Sequence, residues 1–246
     1  MPATTVGGVA DARRLGDTAW TALDGSRPLL VIPVGSCEQH GPHLPMSTDT
    51  IIAVALAERA ARSIDHALVG PALTVTASGE HAGFPGTLSI GTDVMEQVVV
   101  ELVRSADWAN GTVLVNGHGG NRAPVDAAVR RLRDEGRRVE AWWPRVGGKG
   151  DLHAGHTETS LLLALAPHLV EVSAATPGSE LDPDSLRRLV TDGVGAVSAN
   201  GVLGDPTAAT AEHGADLLAE LVDDLVTTMT GFDTGSDGRG GVGEHP

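Results

Sequence analysis

One stretch narrows the folds open to this chain more than any other. Leu29 to Val34 reads LLVIPV, six apolar residues in succession with no polar alternation. A run this short is read as a strand rather than a helix, and its lack of alternation suits a strand covered on both faces, as in the centre of a parallel sheet. Gly35 breaks the run. A Gly- and Pro-rich loop follows, carrying Glu38, His40 and Asp49, before helical periodicity sets in with Ile51, Ile52, Val54, Ala55 and Leu56. Ser47 or Thr48 can cap this helix, which should reach about residue 63.

The same order recurs along the chain. Residues 67–76 read as a second strand with a Gly-Pro interruption, and 77–91 form a Gly-rich loop too long to be a minimal connection. Helical spacing returns over 92–108. Residues 112–116 (TVLVN) make a third strand that runs into GHGGN and a helix over 122–135; residues 138–143 make a fourth, followed by a loop over 144–155 and a helix over 157–166 that Pro167 stops. A short helix over 12–24, another around 184–190 and a long one from 207 to about 230 complete the reading. Strand, loop and helix repeated four times predict parallel βαβ units in an α/β three-layer sandwich with a mostly parallel central sheet. No linker or internal repeat divides residues 12–230, so a single domain is expected there. Residues 1–11 are expected to be a flexible N-terminus, and 231–246 have the composition of a disordered tail.

Charge and composition exclude several partners. Against 32 Asp and Glu stand 17 Lys and Arg, a formal charge of −15. That balance argues against a nucleic-acid backbone or an anionic membrane surface as partner. From Glu171 onward there are 14 acidic and 3 basic residues, which reads as a solubilising surface. The single cysteine, Cys37, forbids an internal disulfide and fits a reducing compartment. No apolar run reaches the roughly 18 residues of a membrane span, and the N-terminal residues contain no hydrophobic signal region, so a cytoplasmic location is expected. With no Tyr, two Phe and four Trp, the core must be built from Val, Leu, Ala and Ile.

In parallel sheets, sites lie outside the carboxyl ends of the strands. Three of the expected strand ends here carry histidine with a carboxylate or with glycine. After the first, Glu38 and His40 are two apart and point to one side of an extended segment, and Asp49 can fold back toward them. Such groups are ligands for a divalent ion; the plainer alternative is that Asp49 caps a helix and the other two are solvated. After the third strand, Asn116 to Asn121 holds His118 among glycines that permit close backbone approach. A phosphate cradle is the alternative, though the Lys-Ser/Thr of a P-loop is missing. The loop after the fourth strand ends in His153, His156 and Glu158, where Glu158 could equally serve the dipole of the following helix. Cys37 beside His40 could be a nucleophile, but no base with an orienting partner is legible around it. Trp142 and Trp143 end the fourth strand; one would be core and one, with Trp142 the candidate, a hydrophobic wall of a substrate pocket.

EQHGPHLPMSTDT, SGEHAGFPGT, NGHGGN and HAGHTETS, in this order after successive strands, resemble the motifs of the creatininase (creatinine amidohydrolase) family over residues 29 to 170. HAGHTETS and GVLGDPTAAT look closest to members that trim a radical-modified, ribosomally made precursor peptide near its C-terminus. The resemblance implies a three-layer α/β fold, two divalent metal ions per subunit (zinc, iron or manganese) and a ring-like homo-oligomer. It places Glu38, Asp49 and His118 on one ion and His40, Asp49 and a glutamate on the other, with Asp49 bridging. Creatininase itself has a glutamate two residues after the histidine of the third motif, where this chain has Gly120. Glu158 is the candidate in its place, and creatinine becomes a poor candidate substrate. His153 aligns with a catalytic histidine that would carry the proton to the leaving amine, while His81 and His156 would line the pocket. The expected activity is therefore metal-dependent hydrolysis of an amide or peptide bond in a modified precursor peptide. A cyclic-amide or formamide hydrolase is the alternative within the fold, and a metal-free binding protein the alternative outside catalysis.

Overall fold

All six residues of β1 (Leu29–Val34) are buried, and their alternation sorts them between two cores. Leu29 and Val31 face one apolar cluster while Leu30, Ile32 and Val34 face another. The same division holds in β3 (Gly111–Asn116), where Val113 and Val115 point one way and Leu114 the other. This is the period of two expected of a strand, with apolar residues demanded on both sides because both sides are covered. The computed structural model describes residues 12–145, 151–179 and 182–235. With β2 (Ala67–Val69) and β4 (Val139–Trp142), these strands form a four-stranded, all-parallel sheet in the order β2-β1-β3-β4.

Helices cover both faces. On one lie α1 (Thr48–Ala61), α4 (His156–Leu165) and α6 (Ala211–Thr234), and on the other α2 (Thr92–Ser105) and α3 (Arg122–Asp134). The α6 stripe of Leu218, Leu221, Leu225, Met229 and Phe232, spaced by three and four residues, is what buries that helix. A further helix, α5 (Pro183–Asp192), starts at Asp182, whose carboxylate accepts from the Ser185 amide, and buries none of its residues. Among the described residues no helix is long and apolar enough to cross a membrane.

Sheet order locates the site. The chain passes from β1 to β2 on one side and then crosses to β3 on the other, so the strand order reverses between β1 and β3. A crevice opens outside the carboxyl ends of two strands at such a point, and the segments after β1 and β3 are those carrying Glu38 and His118. The amino ends of the strands are tied instead to the end of α6. Arg138 donates to the Phe232 carbonyl oxygen at 2.6 Å, and Asp233 accepts from His66 at 3.2 Å and Asn110 at 3.0 Å.

Several expected boundaries are corrected. Residues 12–24 form two 3-10 turns, Leu15–Asp17 and Trp20–Ala22, that bury none of their residues, rather than a helix; Gly16 and Asp17 interrupt a segment with too little apolar surface to pack. The strand expected over 67–76 ends at Val69, because Gly70-Pro71 removes a ladder donor, although the Leu73 amide still reaches the Pro33 carbonyl at 2.9 Å. Thr210 caps α6 by accepting from the His213 amide, so the helix starts later than 207, and it continues to Thr234, four residues into the expected tail. The expected N-terminal segment 1–11 and residues 236–246 lie outside the described residues.

At the crossing of α4 and α6, a Cβ on Gly214 would overlap the Ser160 carbonyl oxygen. Replacing Gly214 by Ala should destabilise the protein by about 1–3 kcal/mol, as overpacking does. A denaturant midpoint unchanged from that of the parent would contradict this account of the α4–α6 contact.

Candidate metal centre

The loop after β1 doubles back on itself. The Glu38 amide donates to the Met46 carbonyl at 3.1 Å, and His40 forms isolated bridges with Pro42 and Leu44. This fold brings Asp49, in the first turn of α1, to His40, with Asp49 Oδ1 3.0 Å from His40 Nε2. Asp49 does not cap its helix. Its Oδ2 accepts from Ser36 Oγ at 2.7 Å and lies 3.3 Å from His118 Nδ1, which is delivered by the turn after β3. The two oxygens of one carboxylate therefore face two different histidines. Glu38 completes the first group, its Oε1 3.0 Å from His118 Nδ1. Glu158, in the first turn of α4, completes the second, its Oε2 3.9 Å from His40 Nε2.

Backbone carbonyls decide which ring nitrogen faces inward. His40 Nδ1 donates to the Glu38 carbonyl at 3.1 Å, and His118 Nε2 donates to the Ala77 carbonyl at 2.9 Å. His40 Nε2 and His118 Nδ1 are thereby left toward the carboxylates, the usual means by which an outer contact orients a ligating imidazole.

Buried charges of both signs dominate the electrostatics of the cluster. Glu38 is fully buried, and neither of its oxygens has a hydrogen bond of acceptable geometry despite the nearness of His118. Burial, reinforced by Asp49, pushes its carboxyl above the ordinary range. Burial also works against ionised Asp49, but His40 and His118 hold it well below its usual value. Burial opposes the charge on His40 too, yet Asp49 lifts it to about 9, and the carboxylates around His118 likewise hold that imidazole well above its ordinary value. Glu158 is pushed up to about 7 by burial against the pull of His40. Buried carboxylates and imidazoles thus shift one another strongly. The donor set of carboxylate oxygens and inward nitrogens, with an orphaned buried carboxylate among them, fits divalent metal. Glu38, His40 and Asp49 form one group of compatible ligand atoms, His40, His153 and Glu158 a second, and Glu38, His81 and His153 a third.

The structure brings Glu38, His40, Asp49, His81, His118, His153 and Glu158 into one cluster. His81 and His153 lie 4.4 Å apart, ring to ring, and His40 and His153 4.3 Å. Two sequence candidates fall elsewhere. His156 donates to the Ala208 carbonyl at 3.1 Å and stacks near His213 at 4.9 Å, outside the cluster. Trp142 is core rather than pocket wall, because its position in β4 turns it toward α6, where its indole N–H bonds Asp224 at 2.6 Å. Trp143, on the opposite side, lies under the Arg122 guanidinium at 4.3 Å.

Three participants escape sequence reasoning. Ser36 holds Asp49, and Glu80 stands 3.4 Å from His118 Nε2. Gly120 leaves room for this, since a Cβ there would overlap the Glu80 carboxylate. Gln39 sits between two ligands in the motif, and the two-residue spacing that singles out Glu38 and His40 turns attention from it. Glu80 carried only one signal, its place beside His81. A cleft of about 160 Å³ opens beside the cluster, lined by Gly117, Gly119, Pro144, Leu152, His153 and Glu158. A larger hollow of about 490 Å³, between Trp20 and Trp108 before β1 and β3, contains no such ligand set.

Comparison with known proteins agrees with this geometry. The family model described as creatininase, creatinine amidohydrolase, matches residues 17–229. A mycofactocin precursor peptide peptidase of Mycobacterium ulcerans is 46% identical over 239 residues, which span 91% of this chain and 93% of that protein. Among solved structures, a manganese creatininase superposes with a TM-score of 0.72 at 27% identity, covering 89% of this chain and 97% of that one. A creatininase variant described as the Zn-Zn type gives 0.71 at 27% identity, covering 88% and 96%. Fold, strand-end ligands and sequence agree, and the chain belongs to the creatininase family.

Proposed function

We propose that this protein is a metal-dependent hydrolase that removes a short C-terminal fragment from the mycofactocin precursor peptide by cleaving an amide bond. The observation that carries the reading is Asp49, whose two oxygens address His40 and His118 separately beside the unpartnered Glu38 carboxylate. Extensive identity with a peptidase of that precursor supports the substrate. Glu38, Asp49 and His118 would hold one divalent ion and His40, Asp49 and Glu158 the other. The names of the related structures support manganese or zinc, and iron suits the same ligands. Bound there, such ions supply Lewis-acid polarisation of the scissile carbonyl and make a water acidic near neutral pH.

The protein's own residues do the rest. His153 is buried beside Glu38, with Nδ1 3.9 Å from Oε1, and burial together with the neighbouring His40 and His81 holds it well below its ordinary value. A neutral imidazole of that kind accepts a proton from the attacking water and returns it to the leaving amine as the C–N bond breaks. The cleft between Gly119, Pro144 and Leu152 receives the chain on one side of the cluster. We also propose a homo-oligomeric, cytoplasmic enzyme whose acidic surface keeps it soluble.

Incubating the metal-loaded protein with the modified precursor peptide and, separately, with creatinine should give a shortened peptide by mass and leave creatinine intact. Opening of the creatinine ring alone would replace the peptidase reading with that of a cyclic-amide hydrolase. Chelation should abolish hydrolysis and lower the thermal midpoint, with re-addition of ion at about 1,000 times its Kd restoring about 4 kcal/mol; a chain that binds no divalent ion is a binding protein of this fold. His153→Ala should cost about 10²- to 10⁴-fold in kcat with metal content unchanged. Glu158→Gln should lower occupancy of one ion, and full occupancy measured by elemental analysis would remove Glu158 from the ligand set.

A further inference from the structure

Gln39 is buried among four loops. Its side-chain nitrogen donates to His81 Nδ1 at 2.8 Å and to the Gly201 carbonyl at 3.1 Å, and its side-chain oxygen accepts from the Gly41 amide at 2.9 Å. That last bond fixes which end of the amide is the donor, since a backbone N–H can only donate. Gly201 makes the docking feasible. It has φ +80°, and a Cβ on it would overlap the Gln39 side-chain oxygen. The main chain of Gln39 acts on a second histidine, for its carbonyl lies 2.7 Å from His153 Nε2.

These contacts assign protons. A carbonyl oxygen accepts only, so His153 Nε2 carries hydrogen and its Nδ1 presents a lone pair toward Glu38 Oε1, 3.9 Å away. The amide nitrogen has two hydrogens, and His81 Nδ1 and Gly201 use both. Its 3.1 Å approach to His153 Nε2 is therefore a packing contact and not a hydrogen bond. His81 Nδ1 is the acceptor, so the neutral ring carries its hydrogen on Nε2, which faces Glu38 Oε1 from 3.5 Å.

We infer that Gln39 is a positioning residue that sets the same Nε2–H tautomer in two neighbouring histidines but turns opposite nitrogens of them to Glu38, the N–H of His81 and the bare Nδ1 of His153. The physical need is plain. With rings 4.4 Å apart and one carboxylate oxygen between them, two lone pairs would compete for the same proton and the same cation. One N–H and one lone pair remove that competition, and the positive end of the His81 N–H dipole faces the Glu38 carboxylate. The two devices are independent, because the side chain of Gln39 governs His81 while its backbone governs His153.

The role in hydrolysis rests on the peptidase reading above, but the proton positions do not. Nitrogen-15 spectra of the zinc-loaded and metal-free protein, with His81 and His153 assigned by single substitution, test them directly. His81 should show a protonated Nε2 and a bare Nδ1, and His153 the same, its bare Nδ1 turned toward Glu38. Gln39→Glu offers His81 an acceptor in place of a donor, so the His81 hydrogen should move to Nδ1 while the His153 signature stays unchanged. Turnover of the precursor peptide, or zinc affinity, should fall by about 10- to 100-fold, the usual cost of losing a partner of a metal ligand. Gln39→Met removes the contact without adding charge and should give His81 mixed tautomers. A protonated His81 Nδ1 in the unaltered protein would overturn the inference without any variant, as would an unchanged His81 signature in Gln39→Glu. Absence of peptide cleavage by the unaltered protein, with the tautomers as stated, would overturn the peptidase reading alone.

Discussion

Mutual repulsion among buried carboxylates is the constraint around which this molecule is arranged. Glu38 and Asp49 are both withdrawn from water within reach of the same histidine. Placing ionised groups in such a medium costs several kcal/mol each unless opposite charge is supplied at close range. Nearly every feature of the strand-end loops serves that supply. The hairpin-like return over 38–46 brings His40 to Asp49, the turn after β3 brings His118, and carbonyl contacts aim one nitrogen of each ring inward. The sheet order provides the place, since only between β1 and β3 do two strand ends open onto one crevice.

The same constraint explains what could be read from the sequence. Strands buried on both faces must be apolar throughout, so LLVIPV and the run ending in Asn116 announced the sheet and its parallel sense. The candidate ligands Glu38, His40, Asp49 and His118 follow those strands, and the structure brings them together. Residues 12–24 were not, because a helical spacing of three apolar residues does not reveal whether a neighbour exists to cover them. Trp142 was misjudged on a related ground. Its side is set by the register with β3, where Trp142 pairs with Val115 and shares the face toward α6, and that register is not legible in the sequence.

The contributions of Gln39, Glu80 and Ser36 belong to another class. Each acts on a residue distant in sequence through an ordinary polar side chain. Ser36 and Asp49 are 13 residues apart, and Gln39 and Gly201 are 162 apart. No local pattern marks such pairs, and only the folded loops bring them together. Their effect is to make the histidines differ from one another. The carboxylates shift His40 and His118 upward, whereas burial holds His81 down to about 4 and keeps it neutral. A cluster of chemically identical rings becomes a set with separate duties through its neighbours.

The anchoring of α6 has a practical side. Arg138, His66 and Asn110 pin its last turn to the amino ends of the strands, and the candidate metal site lies at their carboxyl ends. The described end of α6 therefore lies at the face opposite the cleft. A purification tag, a fluorescent fusion or a linker to a solid support joined where α6 ends would hold the molecule from behind, with its cleft turned to the solution.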